Sequence, residues 1–242
     1  MAHMSETRRM EHSAFDLNQI QLESVTLAQN NIDAHIQPIL AQVDFVLPMD
    51  QTIVIESSNP THSLQFIQML AGYKSCAQGK ILWNSQDVFA DAHEVDPRDI
   101  MGVYFEGHFP VSDMTIKDYL KSFLSLEKIH TICEMFELTP YLSNQISKSN
   151  YAMRKLLTII QIISKQPQLL ILEDPATGLS ESQWLNLLDY IQLHQRKGYL
   201  RHIFMTNHHG TALNHIEHNK LFIEDGLIYF DETMPAKKIA HF

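Results

Sequence analysis

Two adjacent acids, Glu173 and Asp174, close the apolar run Leu169-Leu-Ile-Leu172 and stand just before Pro175-Ala-Thr-Gly178. A solid Leu/Ile run between Pro167 and Pro175 reads as a doubly buried strand of a parallel sheet, and open α/β sheets place ligands at the carboxyl ends of such strands. Acids there suit a phosphate-bound Mg²⁺; the plainer reading is a core strand followed by a polar turn. A second candidate is the polar stretch Glu56-Ser-Ser-Asn-Pro-Thr61. It lies between the apolar run Thr52-Ile-Val-Ile55 and a series at helical spacing, Leu64, Ile67, Leu70 and Ala71. Strand, polar loop and helix in that order is the layout of a phosphate-binding unit. His208 and His209 are the only adjacent pair among 14 dispersed histidines, so no metal site is expected.

Positioning these groups requires a sheet with helices around it. Ile20–Leu27 and Ile39–Leu47 alternate apolar and polar residues, as half-buried antiparallel strands do. Lys80–Trp83 reads as another strand, and residues 84–99 as a loop with a short helix. One helix is expected from Thr115 to His130, on Ile116, Tyr119, Leu120, Phe123, Leu124 and Leu126, with a second from Ile129 to Leu138. Such a helical insert, at about 108–152, forms a small subdomain. Ala152–Lys165 is a further helix leading into the Leu169 strand. Ser180 with Gln183 has the capping-box pattern, and Trp184, Leu187, Leu188 and Ile191 mark the buried face that follows. Lys220–Phe230 reads as two strands around an Asp225-Gly226 turn.

Composition bounds the function classes. With 242 residues, 45% hydrophobic and 19% charged, the chain fits one α/β domain, expected over 16–242. Residues 1–15 read as a disordered polar tail, with Met1-Ala2-His3 an expression leader. No apolar run spans a membrane and no secretion signal opens the chain, so the expected location is cytoplasmic. Cys76 and Cys133 have no spacing partner and read as reduced thiols. A net charge of −10 with only 18 basic residues excludes a nucleic-acid surface.

In this order the pieces resemble the nucleotide-binding domain of ATP-binding cassette (ABC) transporters, from about Ile20 to Phe230. Leu169-Leu-Ile-Leu-Glu-Asp-Pro-Ala-Thr-Gly-Leu-Ser180 is similar to the family's Walker B and D-loop, with the acids in reversed order and Ser180 for the D-loop aspartate. Ala71-Gly72 and Gly79-Lys-Ile-Leu82 resemble the residues after the family's phosphate loop. Gly102-Val-Tyr-Phe-Glu106 resembles the strand into the Q-loop, with Glu106 for glutamine. Thr206-Asn-His208 resembles the switch-histidine segment, and Asp225-Gly226 the hairpin after it. The resemblance implies a mostly parallel sheet with flanking helices, an antiparallel β subdomain and a helical subdomain.

Its nucleotide elements depart from the family pattern. The loop that should read Gly-x-x-Gly-x-Gly-Lys-Ser/Thr reads Ser57-Ser-Asn59-Pro60-Thr-His62-Ser63-Leu64. It lacks the glycines that reach positive φ, Pro60 removes a backbone donor, Ser63 replaces lysine, and Leu64 replaces the Mg²⁺-binding hydroxyl. Glu56 just upstream adds repulsion. A shifted register would put Ser63 at the hydroxyl and a mostly neutral His62 at the lysine. Gln29 stands where the family stacks an aromatic ring on adenine. The Leu-Ser-Gly-Gly-Gln signature falls on Ser149, Asn150, Tyr151, Ala152 and Met153, with a ring where phosphate approaches bare backbone. Asp174 as base is one methylene short.

Family members pair so that each site joins the loop of one subunit to the signature of the other, and here both halves depart. The expectation is therefore a pseudo-ATPase without cofactor, in which Glu106, Glu173, Asp174 and His208 are vestigial. It would act as a structural, adaptor or regulatory module on the inner face of a membrane, as a homodimer or paired with another ABC domain. The resemblance implies a permease subunit as partner, whose coupling helix enters a cleft; Phe109, Val111 and Met114 are the candidate contacts. The alternatives are an ATPase with an atypical phosphate loop and a soluble regulatory binding protein.

Overall fold

The computed structural model describes residues 16–29, 37–90, 99–110, 112–208, 213 and 215–231. The readings placed on residues 1–15, on 91–98, on Val111 and on His209 lie outside them. Among the described residues, ten strands form two sheets. β1 (Ile20–Leu27), β2 (Leu40–Leu47), β4 (Gln78–Trp83) and β5 (Gln86–Asp87) make an antiparallel sheet in the order β2-β1-β4-β5. The second sheet runs β10 (Leu227–Asp231), β9 (Asn219–Glu224), β3 (Thr52–Glu56), β8 (His202–Thr206), β7 (Leu169–Leu172) and β6 (Met101–Tyr104). Its strands are parallel except β10, which returns along β9 through the Asp225-Gly226 turn.

Burial on both faces explains the unbroken apolar runs of the second sheet. Leu169 and Ile171 of β7, with Ile53 and Ile55 of β3, pack into a core shared with the antiparallel sheet and α1 (Pro60–Leu70). Leu170, Leu172 and Val54 point the other way, into a core with the helices that follow β6 and β7. Successive strand residues thus serve opposite cores, and no position in β7 is left for a polar residue.

The helices begin where side-chain caps allow. α4 (Tyr151–Ser164) is capped by Asn150, and α5 (Glu181–Arg196) by the full Ser180/Gln183 capping box, as the sequence indicates. Several boundaries differ from expectation. The helix expected over 115–130 is two, α2 (Ile116–Lys121) and α3 (Leu126–Met135), because Ser125 caps a new start with its hydroxyl on the Lys128 N–H. α3 stops at Met135 rather than Leu138, since Glu137 takes a left-handed φ of 54°. Two 3-10 turns, Thr139–Tyr141 and Ile146–Lys148, fill the rest of a segment expected to be all helix. In the described part of 84–99 there is a hairpin into β5, turned by positive φ at Asn84 and Ser85. α1 starts at Pro60, inside the stretch read as loop, because Asn59 caps it and proline suits the first helical turn.

Candidate functional site

The carboxyl ends of β3, β6, β7 and β8 lie along one edge of the sheet, and each carries residues singled out by sequence. After β3, only Ser57, Ser58 and Asn59 remain as loop before α1. The Asn59 side chain accepts the Thr61 N–H at 3.0 Å and its carbonyl accepts the His62 N–H at 2.9 Å. Ser63 has no exposed surface, and its hydroxyl donates to Pro60 O at 3.0 Å. Leu64 packs against the core shared with the antiparallel sheet. The first-turn amides are therefore engaged by the chain itself. His62 lies 3.3 Å from Asn59 Nδ2, and burial lowers its pKa, which favours the neutral ring. His208 comes within 3.5 Å of Ser63 Oγ, so the β8 end does meet the loop. Glu56 sits 2.9 Å from Lys220 Nζ, which compensates the charge that the sequence alone reads as repulsive.

Across the sheet a second group forms around the paired acids. Glu173 Oε2 accepts the Glu106 backbone N–H at 2.8 Å, and burial raises the pKa of Glu173. Asp174 is buried in a left-handed turn with φ 42°; its Oδ2 accepts the Thr177 hydroxyl and its N–H donates to Thr206 Oγ1. Lys155, one turn into α4, is wholly buried among them. Its ammonium donates to Glu106 Oε2 at 2.9 Å, Asp174 O at 2.8 Å and Thr177 O at 2.7 Å. Burial pulls the lysine pKa down, and the Glu106 carboxylate opposes that pull. Tyr104 donates to the same Glu106 oxygen at 3.1 Å, and burial first, with Glu106 beside it, pushes its phenol pKa far up.

Sequence reasoning missed Lys155. The signal was present: it sits on the buried face of α4, four residues before Ile159, where every other buried position is apolar.

The stretch that the resemblance aligns with the signature, Ser149 to Met153, is packed by its own chain. Asn150 caps α4 by accepting the Met153 N–H at 2.8 Å, and Met153 is buried. Ser149 Oγ donates to Gln145 O at 3.1 Å. The Tyr151 ring lies over Gly178, where a Cβ would come within 2.7 Å of it. Ala152 is half-buried beside it. Phe109 is packed edge-on to Tyr151 with centroids 5.0 Å apart, and the Arg154 guanidinium covers it at 5.2 Å. Met114 is exposed by 43%. Gln29 donates to Gln37 O at 3.0 Å, so its amide is engaged by the chain itself.

The profile of the family described as ABC transporter matches residues 40–177. That is more than half the chain, which therefore belongs to the ABC transporter family. Among its relatives, a "Putative ABC transporter ATP-binding protein" of Onion yellows phytoplasma is 27% identical over 86% of this chain and 37% of its own length. The chain thus spans well under half of that relative. A "Cytochrome c biogenesis ATP-binding export protein CcmA" of Legionella pneumophila (strain Lens) is 21% identical over 78% of this chain and 95% of its own length. A solved structure titled "Structure of ATP binding subunit of ABC transporter" superposes with TM-score 0.67 at 17% identity, over 87% of this chain and 88% of that one. A bacterial Atm1-family ABC exporter with ATP bound gives TM-score 0.70 at 12% identity, covering 90% and 39%. Both likenesses concern the fold, with its α/β core and antiparallel β sheet.

The family implies Mg²⁺ and a nucleotide, and the residues here fit them poorly. Leu64 offers no oxygen, the first-turn amides of α1 are capped, and the Glu173 carboxylate is turned onto the Glu106 N–H. Among the described residues, no three His, Cys, Asp or Glu side chains gather as a metal site. No helix among them is long and apolar enough to cross a membrane.

Proposed function

We propose that this chain is a cassette subunit of a membrane transporter complex that keeps the ABC fold and acts by docking, without turning over ATP. One observation carries the reading: α1 starts at Pro60 with its first amides capped by Asn59 and Ser63 buried, in the place where the family holds phosphates. A lysine and loop amides each make charge-assisted bonds to phosphate worth about 1.5–3 kcal/mol, and losing them together weakens binding by several powers of ten. Lys155 does not replace them, since its three N–H groups already have acceptors.

The docking surface belongs to the same proposal. Exposed Met114 and half-buried Phe109, with Val111 between them in sequence, meet a membrane partner at the start of the helical segment. The reading places the chain on the inner face of the membrane, paired with itself or with another ABC domain. The names of the relatives, which are ATP-binding proteins, favour a second reading, an ATP-binding subunit with an atypical loop. Calorimetric titration with millimolar Mg-ATP separates them: no saturable heat supports the first, and a saturable isotherm supports the second.

A further inference from the structure

An ammonium is stable inside a protein only if its N–H groups meet acceptors. Lys155 has three donors and three acceptors, all within 2.9 Å. The acceptors lie on separate segments. Glu106 sits where the chain leaves β6 for the helical segment, while Lys155 itself sits on α4, where the chain comes back. Asp174 and Thr177 lie in the turn between β7 and α5. One ammonium therefore ties both crossings of the helical segment to the end of a central strand. The surroundings reinforce the junction: Glu106 donates its N–H to Glu173, Tyr151 covers Gly178, and Phe109 packs between Tyr151 and Arg154.

We infer that Lys155 is a clasp that, by fixing both ends of the helical segment, holds residues 108–110 and 112–150 in one orientation against the six-stranded sheet, whatever binds at the carboxyl edge. A hinge needs freedom at both crossings, and here the Glu106 side chain at one and the Lys155 side chain at the other are bound to each other, while Lys155 also holds the turn after β7. The inference concerns mobility and stands whether or not the chain binds nucleotide. It makes Lys155 a positioning residue, with Glu106 as its counter-charge.

The test measures a distance across the junction. Spin labels go on Leu126→Cys in α3, 74% exposed, and on Val46→Cys in β2, also exposed, with Cys76→Ser and Cys133→Ala removing the native thiols. With the clasp intact, electron double resonance gives one narrow distance; a broad or split distribution in that chain overturns the inference at once. Lys155→Met keeps the length and removes the ammonium, and it broadens the distribution while speeding exchange of the Glu106 amide about tenfold or more. Lys155→Met with Glu106→Leu removes both charges and keeps the volume; it loosens the segment in the same way if the single variant does not fold. A folded variant of either kind that keeps the narrow distance and the slow amide overturns the inference.

Discussion

Lys155 Nζ and Glu106 Oε2 lie 2.9 Å apart across 49 residues of sequence, the lysine with no exposed surface and the glutamate side chain 28% exposed. Water reaches one partner and not the other, so the two ends of the pair are not equivalent.

Removing the buried end should be the more costly change. Lys155→Ala leaves two carbonyls and a partly buried carboxylate without their donor, and is expected to lower stability by roughly 3–5 kcal/mol. Adding Glu106→Leu should recover part of that loss. Urea unfolding of both variants checks this; a loss below about 1 kcal/mol for Lys155→Ala would count against the pair.

Gly178 has φ 76° and a Tyr151 carbon 2.7 Å from the place of its missing Cβ. Gly178→Ala is expected to cost about 1–3 kcal/mol from backbone strain and the clash together. In a Tyr151→Ala background only the strain remains, so the cost should shrink. Equal costs in both backgrounds would show that the ring does not press on the turn.

The fold was legible in the sequence because strand burial and turn chemistry both left local marks. Leu169–Leu172 announced a two-sided strand, and Ser180 with Gln183 announced a helix start. Boundaries set by a single cap were less legible. Asn59 and Ser125 decide where α1 and α3 begin, yet either residue is equally at home in a loop. The site was half legible. Sequence found Glu173 and Asp174 by their place at a strand end, and Glu106 and His208 by the family resemblance, but not that Lys155 joins Glu106 to the turn after β7. That contact depends on tertiary approach, and helical periodicity marks Lys155 only as a charge on an apolar face.

His202 is buried with both ring nitrogens in use: Nδ1 accepts the Asp50 N–H at 2.8 Å, and Nε2 lies 2.9 Å from Leu17 O. Burial lowers its pKa below the ordinary value, although the hydrogen bond to Leu17 O and then the Asp50 and Asp16 charges oppose this and Arg201 adds to it. The unfolded chain, at about 6.5, then binds the proton more readily than the folded one. Stability is present above about pH 6.5 and is lost as the pH falls from there toward the folded value. His62 and His194 are shifted in the same direction and add to the slope. Urea midpoints between about pH 7.5 and 5.5 should fall for the parent chain, and less steeply for His202→Gln. Identical slopes would remove His202 from the account.

Ser63→Lys is expected to restore no ATP hydrolysis. The position has no exposed surface, and the glycines, the hydroxyl at Leu64 and the bare signature backbone are still missing. A lysine there should also destabilise the fold, because its charge would start from a buried site. Measurable phosphate release by this single variant would show that the departures are not independent.

Central to the account is the claim that the stretch from Ser57 to Leu64 has become a capped helix start that no longer holds phosphate. Titration of the purified chain with millimolar Mg-ATP in a calorimeter tests it most directly. The account predicts no saturable heat and no rise in melting temperature at the same concentrations. A saturable isotherm with a matching thermal shift would contradict it.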